Sequence, residues 1–423
     1  MAPFSRRQFL IATGLSAPAL CLLAPDASAY ADDAYAEDVV LRAMRDEMER
    51  SSQLRVVGGG GDDTPYFISY TLDDNDAFEV AASFGAITSV SRNRFRLPNI
   101  EVRVGSYDFD NTGHIYSGLY TGSRYDTDPL SLDDNYRALR EGFWLATDHA
   151  YKAAVESISR KRAALTNSAA PAEKLADYSK ADPVESLAKV AGAKFDEAAW
   201  KARVTKHSAV FDAYPEVLAS GVEFHLNQDT TYYLNTERTA LRYRDDAAWI
   251  SARAEGQAPD GMVLRDGLAT PVLKLAEIPS EAQCQDSLKA MAGNIQALLK
   301  APLGETFTGP ALFEPEAAAQ LLAQLLGDNL RIPRKPISDA SHPVNVIPSE
   351  FEGRNGSRVL PEWIDVVDDP TQASYQGKPL AGYYQFDFEG VAPQPVPVIQ
   401  KGVLKTFLST RQPMKSVPGS NGH

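Results

Sequence analysis

The chain has 423 residues, with 42 Lys and Arg against 56 Asp and Glu, and a formal charge of −14. An acidic surface of this kind repels nucleic acid and anionic lipid, so neither is an expected partner. A hydrophobic content of 44% suits a folded protein of more than one domain, and no stretch reaches the roughly 20 apolar residues needed to span a bilayer.

The first residues read as an address. Ser5-Arg6-Arg7-Gln8-Phe9-Leu10 is a twin-arginine motif, residues 11–23 are apolar, and Ala27-Ser28-Ala29 is a small-residue cleavage site. The apolar run of about 13 residues is too short for an anchor. Leu20 stands before Cys21 where lipoprotein processing needs a small residue. Residues 1–29 are therefore expected to be a cleaved signal, giving an exported, periplasmic or extracytoplasmic protein with no membrane attachment after cleavage. Their removal takes away two arginines and one aspartate and moves the charge from −14 to −15. Cys284 then remains alone, which excludes an intrachain disulfide. The twin-arginine route carries folded proteins, which suits a chain that meets a cofactor or partner before export.

Residues 34–55 place Val39, Val40, Ala43, Met44 and Met48 on one helical face. Gly58 to Gly61 follow; without a Lys-Ser/Thr pair they read as a turn and not a phosphate loop. From Pro65 to Tyr120 apolar and polar residues alternate, which predicts an antiparallel meander with turns at Asp74-Asn75-Asp76 and Arg92-Asn93-Arg94. Residues 130–167 and 183–214 carry helical patterns and predict a helical hairpin packed on the sheet. Strands are expected at 222–226, 231–234, 240–245 and 249–254, and helices at 280–299 and 314–330. Beyond them Pro333, Pro336, Pro343 and Pro348 make an irregular connection. Strand-like pieces follow at 359–369, 382–390 and 395–411, and Ser420-Asn421-Gly422-His423 leaves no closing element. The expected organisation is α+β, with antiparallel curved sheets and covering helices in several domains. These are an N-terminal α/β domain over 30–128, a central domain with a long helical insertion over 129–300, and an incomplete β-rich C-terminal domain over 301–423.

Candidate chemistry is sparse. His114, His149, His207, His225, His342 and His423 form no H-E-x-x-H pair and no local metal spacing. His225, beside Glu223 in an alternating strand, reads as a surface or satisfied core histidine; pairing it with His342 as unrecognised ligands is the remaining metal reading. Cys284 reads as a buried apolar thiol. No G-x-S-x-G elbow is present. The acidic pairs Asp368-Asp369, Asp108 with Asp110, and Asp245-Asp246 read as solvated turn acids. Asp108 to Gly113 begins like a calcium loop but has Leu119 where the bidentate glutamate belongs.

The C-terminal third says more. Gly309-Pro310-Ala311-Leu312-Phe313-Glu314 opens a helix; VLPEWIDVVDDPT follows at 359–371, FDFEGV at 386–391, PVPVIQKGVL at 395–404, and the terminal SNGH. In this order the motifs resemble the TldD/PmbA (TldD/TldE) family of metallopeptidases and their inactive homologues. YYLNTERTALR at 232–242 is similar to the family's strand-turn segment, with Arg238 where a glycine is usual. The resemblance covers roughly 210–423, and 35–120 more loosely. It implies an H-E-x-x-x-H zinc motif on the helix at 314–330, with a cysteine ligand further on. Laid on that helix, the motif puts Ala323 and Asp328 at the histidine positions and Gln324 at the glutamate position, while Gly327 matches the glycine before the second histidine. Alanine has no donor atom and glutamine is no base at neutral pH. The resemblance thus implies a TldE/PmbA-like member with no catalytic, cofactor-binding or metal residues of its own. It also implies a zinc-bearing TldD-like homologue as partner and unfolded peptides as substrates. The alternative expectation is a non-proteolytic periplasmic peptide-binding or scaffold protein.

Overall fold

Two long strands set the frame. Pro65–Ser83 (β1) and Ala86–Val104 (β2), 19 residues each, pair antiparallel along their length. The computed structural model describes residues 34–55, 64–115, 123–125, 129–166, 175–332, 334–338, 348–415 and 417–423. The expected export signal at 1–29, Gly58 to Gly61, Leu119 and His342 lie outside these residues. Phe84 (φ 44°) and Gly85 (φ 72°) form the turn, the two successive left-handed residues that a tight hairpin between twisted strands requires. The expected turns at Asp74–Asp76 and Arg92–Arg94 do not form. These charges sit mid-strand because they satisfy one another across the hairpin: Asp74 pairs with Arg96 and Asp76 with Arg92, each at 2.8 Å.

Ala219–Asn235 (β6) runs antiparallel to β1 from Ala82 back to Ser69. Its two halves then take different neighbours, Ala240–Arg244 (β7) at one end and Ala247–Gln257 (β8) at the other, and Val263–Val272 (β9) flanks β8. Ser123–Tyr125 (β4) edges β2 and Glu185–Ser186 (β5) lies parallel to β7, completing an eight-stranded sheet. The two residues of His114–Ile115 (β3) stand apart from it, beside Ile337–Ser338 (β10). Strands from either side of the expected division at 128/129 therefore share one sheet, because β1 finds its hydrogen-bonding partner about 150 residues downstream.

Even-numbered residues of β1 face the helices. Ile68, Tyr70 and Leu72 meet Val39–Ser51 (α1) and Tyr136–Thr166 (α2) in one core; Phe78, Val80 and Ala82 meet Glu197–Ser208 (α3) and Glu281–Leu298 (α4) in another. Asp38, Asp196 and Ser280 cap three of these helices, Ser280 in a reciprocal box with Gln283. Trp200 of α3 stacks flat on Phe224 at 3.7 Å. The expected hairpin of α2 with α3 does not form. Residues 183–196 run extended along the sheet edge, where Val184 O accepts from Ala240 N at 2.8 Å and Leu187 O and Ala188 O accept from the Arg242 guanidinium. Pro183 and Gly192 weaken helix in this stretch, and the edge supplies the backbone partners a helix would have supplied.

The C-terminal part has its own core of Leu326, Leu330, Phe351, Val396, Val398, Ile399, Leu404 and Phe407. Pro315–Leu322 (α5) leads into it, and its strands are short: Val366–Asp368 (β11), Ser374–Tyr375 (β12), Lys378–Pro379 (β13), Val396–Gln400 (β14) and Val403–Leu404 (β15). The strand expected at 382–390 is a set of turns, since Asp387 Oδ1 accepts from Glu389 N (2.9 Å) and Val391 N (2.8 Å) and holds the chain in a loop.

Candidate functional site

The helix that the family resemblance singles out changes pitch at the motif. α5 starts on Pro315, which suits the first helical position; Ala323–Gly327 then widens into a π-turn and Asp328–Leu330 tightens to a 3₁₀ turn. Leu326 and Leu330 point into the C-terminal core. Ala323 and Gln324 are exposed, and the Asp328 side chain is 94% exposed with only Arg331 beside it at 3.3 Å. A methyl group, an amide and a solvated carboxylate are not a zinc donor set. Among the described residues no three His, Cys, Asp or Glu side chains converge on a point that could hold a metal ion. Ala323, Gln324 and Asp328 therefore do not fit zinc.

Beside this turn lies a cleft of about 460 Å³. Asp328, Arg331, Ile332 and Arg334 form one wall, and Leu408 to Thr410, Gln412, Met414 and His423 the other. A backbone bond from Leu408 N to Leu330 O (2.9 Å) fixes the walls together at one end. His423 is held at both ring nitrogens, Nε2 by Asp368 Oδ1 and Nδ1 by Asn421 O, each at 2.9 Å. Burial opposes its charge, but the Asp368 carboxylate and the Asn421 carbonyl outweigh that and raise its pKa. Asp368, expected as a solvated turn acid, is thus a strand-end residue with a specific partner. Arg334 reaches out of the cleft to Ala176 O (2.6 Å) and Asp177 (3.1 Å). Of the cleft's cations Arg331 is the least committed, paired only with the exposed Asp328 among the described residues, while the Ser409 backbone is engaged by Asn421.

Behind the cleft a buried ionic network ties the C-terminal part to the large sheet. Arg411 is fully buried; its guanidinium donates to Ser179 O and reaches Glu237 at 2.7 Å, and Tyr107 Oη donates to Glu237 at 2.6 Å. The Tyr178 ring lies between two guanidiniums, Arg103 at 3.7 Å and Arg411 at 4.1 Å. Asp177 binds Lys161 at 2.5 Å and accepts from Asp110 N at 2.8 Å. Asp110, from the stretch that begins like a calcium loop, is consumed by Arg103, Thr112 and Tyr66. Glu389 accepts from Arg411 N at 2.6 Å, and burial pushes it up to about 7. None of this network was legible in the sequence, since its members are single charged residues tens to hundreds of positions apart.

The remaining candidates lie elsewhere. His225 stacks on Trp249 at 4.6 Å with Glu79 (3.7 Å) and Glu223 (3.4 Å) at opposite ring nitrogens, an arrangement that cannot focus on one metal. Cys284 is buried among Leu288 and Met291, as expected of an apolar thiol. Buried His207, on α3, is lowered to about 4 by desolvation and then by Arg203.

Residues 306–422, which carry the π-turn, the cleft walls apart from His423, and the network's Glu389 and Arg411, match the PmbA/TldA metallopeptidase C-terminal domain. This C-terminal part of the chain is similar to the TldD/PmbA family, the match covering 306–422 of the 423 residues. A metalloprotease of Archaeoglobus fulgidus is 33% identical over 73 residues, 17% of this chain and 16% of that protein. TldE from Thermococcus kodakarensis superposes with a TM-score of 0.56 at 14% identity, over 90% of this chain and 73% of that one. A Thermotoga maritima protein described as a candidate modulator of a DNA gyrase does so with a TM-score of 0.52 at 14% identity, over 81% of this chain and 66% of that one. At such identities the two structures share the fold. Arg238, where the resemblance leads one to expect glycine, has φ 75°, the left-handed conformation that glycine takes freely.

Proposed function

We propose that this chain is the zinc-free subunit of an exported two-component peptidase of the TldD/PmbA family. Its role is to bind peptide and to assemble with a zinc-bearing homologue that supplies the catalytic water. The observation that carries this reading is the chemistry at Ala323, Gln324 and Asp328: no donor, no base and one solvated acid on the turn where the family's motif falls. The adjoining cleft of about 460 Å³, with Arg331 and Arg334 in its lining, supports the peptide-binding part, since guanidiniums suit the carboxylates of a peptide. The twin-arginine motif at Arg6-Arg7 supports export, and a route that carries folded proteins suits a complex assembled before it leaves the cytoplasm.

The test is affinity purification of the processed chain from its own cell envelope. The reading predicts recovery of a homologue with an intact H-E-x-x-x-H, and peptide cleavage only when both chains are present. A homodimer or monomer that binds peptides without cleaving them, with no such homologue recovered, refutes it in favour of a binding or scaffold protein.

A further inference from the structure

Much of the apolar surface ahead of the C-terminal core lies outside it. Leu303, Phe307, Leu312, Phe313, Leu322 and Leu325 are each half exposed or more. Between Glu316 and Asp328 the chain carries no charge, so α5 and the π-turn that continues it are apolar around most of their circumference. A helix of that kind is normally enclosed on all sides. Here only Leu326 and Leu330 are buried among the described side chains of 317–330, and no other described helix or strand packs closely along α5. Ahead of the helix, residues 302–313 form no helix or strand and make no backbone hydrogen bond to another described residue. Exposed apolar surface of this extent, with charge only at its edges, marks a place where another molecule sits.

We propose that the surface from Leu303 to Leu325 is a docking face for a different protein, one whose contact surface is apolar and bordered by lysine or arginine. That this partner is the zinc-bearing homologue rests on the function proposed above.

Charge selects the occupant. Glu305, Glu314 and Asp328 stand exposed in this stretch, and neither Lys nor Arg occurs from 301 to 330. A two-fold contact with a second copy would set the face against itself, carboxylate against carboxylate, with no cation in the stretch to offset them. Anionic lipid is repelled for the same reason. A partner with apolar side chains at its centre and cations at its rim covers the leucines and phenylalanines and meets the three acids at once. Position agrees with this assignment. The face runs into the turn at Ala323–Asp328, and Asp328 also lines the cleft, so a partner seated here reaches the cleft wall.

Two probes are titrated into the processed chain by fluorescence anisotropy. One is a leucine–lysine peptide of about 14 residues that folds as an amphipathic helix; the other is the homologue with an intact H-E-x-x-x-H. A leucine–glutamate peptide of the same pattern should bind at least about tenfold more weakly than its lysine counterpart. Leu322→Asp with Leu325→Asp, and separately Phe307→Ala, should weaken both probes by about tenfold or more. Leu218→Asp, at an exposed leucine beside β6, should not. An added aspartate strengthens the general pull on a basic probe, so only lost apolar contact can weaken it. The substituted positions are exposed, and unchanged thermal unfolding shows that the fold survives. The proposal is overturned if neither probe binds, if the substitutions leave binding unchanged, or if the two peptides bind equally. Dimerisation of the chain alone in sedimentation, abolished by Leu322→Asp with Leu325→Asp, overturns it in favour of a second copy. Capture of the parent but not that variant by phosphatidylcholine vesicles overturns it in favour of a membrane surface. The two claims separate cleanly. If the substitutions weaken the lysine peptide and the homologue binds neither chain, the docking face stands and the two-subunit reading fails. If the homologue binds parent and variants alike, the two-subunit reading stands and this face is not its seat.

Discussion

Asp229→Asn removes the most strongly destabilised charge on the open sheet face, and its effect on stability should depend on pH in a defined direction. In the folded chain the Asp229 carboxyl is pushed up to about 7, chiefly by burial and then by Asp73 and Asp245, from the ordinary aspartate value of 3.8. A raised folded-state pKa means that the folded chain holds this proton longer than the unfolded chain does. Stability is therefore lost as pH rises from about 4 to about 7, and the full penalty stands at pH 8. At 1.36 kcal/mol for each pH step, the ceiling is about 4 kcal/mol. Asp229 keeps partial contact with solvent, and screening brings the expected penalty to roughly 1–2 kcal/mol. The asparagine variant should thus gain about 1–2 kcal/mol over the parent at pH 8 and nothing at pH 4, in urea denaturation followed by circular dichroism. Because Asp73 and Asp245 titrate with Asp229 as a coupled set, the gain should be smaller in an Asp73→Asn background. A variant less stable than its parent at pH 8, or a gain of equal size at both pH values, would refute the reasoning.

Other predictions concern the C-terminal part and its junction with the sheet. Arg411→Met should cost about 3–5 kcal/mol because it strands Glu237 without its buried partner, and adding Glu237→Gln should recover much of the loss; a cost under about 1 kcal/mol in urea denaturation would contradict the network's role. The His423 imidazole should titrate above 6.5 by NMR, and Asp368→Asn should bring the midpoint down, since Asp368 raises it against burial. The stability that this pair adds is present below pH 6.5 and lost as pH rises through the folded-state midpoint. Arg238→Gly relieves a left-handed backbone (φ 75°) and should raise stability by about 0.5–1 kcal/mol in the same denaturation assay; destabilisation would mean that the arginine side chain outweighs its backbone strain.

Local signals were legible where they were sufficient. Residues 280–299 carried a helical period and a serine start, and α4 forms there with Ser280 and Gln283 as its capping box. Periodicity also placed α1 and the opening of α5, and alternation placed β1, β2 and β6 as strand. Sequence reasoning failed where a local cue competed with a distant partner. Asp74-Asn75-Asp76 has turn composition, yet Arg96 and Arg92 across the hairpin make a strand the better use of those charges. Residues 183–196 have helical spacing but meet the open edge of β7. Strand β9 went unseen because Val263–Val272 contains Gly267 and Pro271, which an edge strand tolerates. The family motifs located the turn at Ala323–Asp328, but the cleft beside it needed residues near 330 and near 410 brought together by one backbone bond. The acidic residues on the sheet face are split in the same way, since Asp73 and Asp229 come near each other only after β1 and β6 pair.

On the proposed function, this chain holds no catalytic zinc by itself. The direct measurement is the zinc content of the isolated, processed chain by elemental analysis, with peptide cleavage assayed on the same sample with and without chelator. Far less than one zinc per chain and no chelator-sensitive cleavage are expected, with activity arising only on addition of a homologue that carries H-E-x-x-x-H. One zinc per chain together with chelator-sensitive turnover would contradict it.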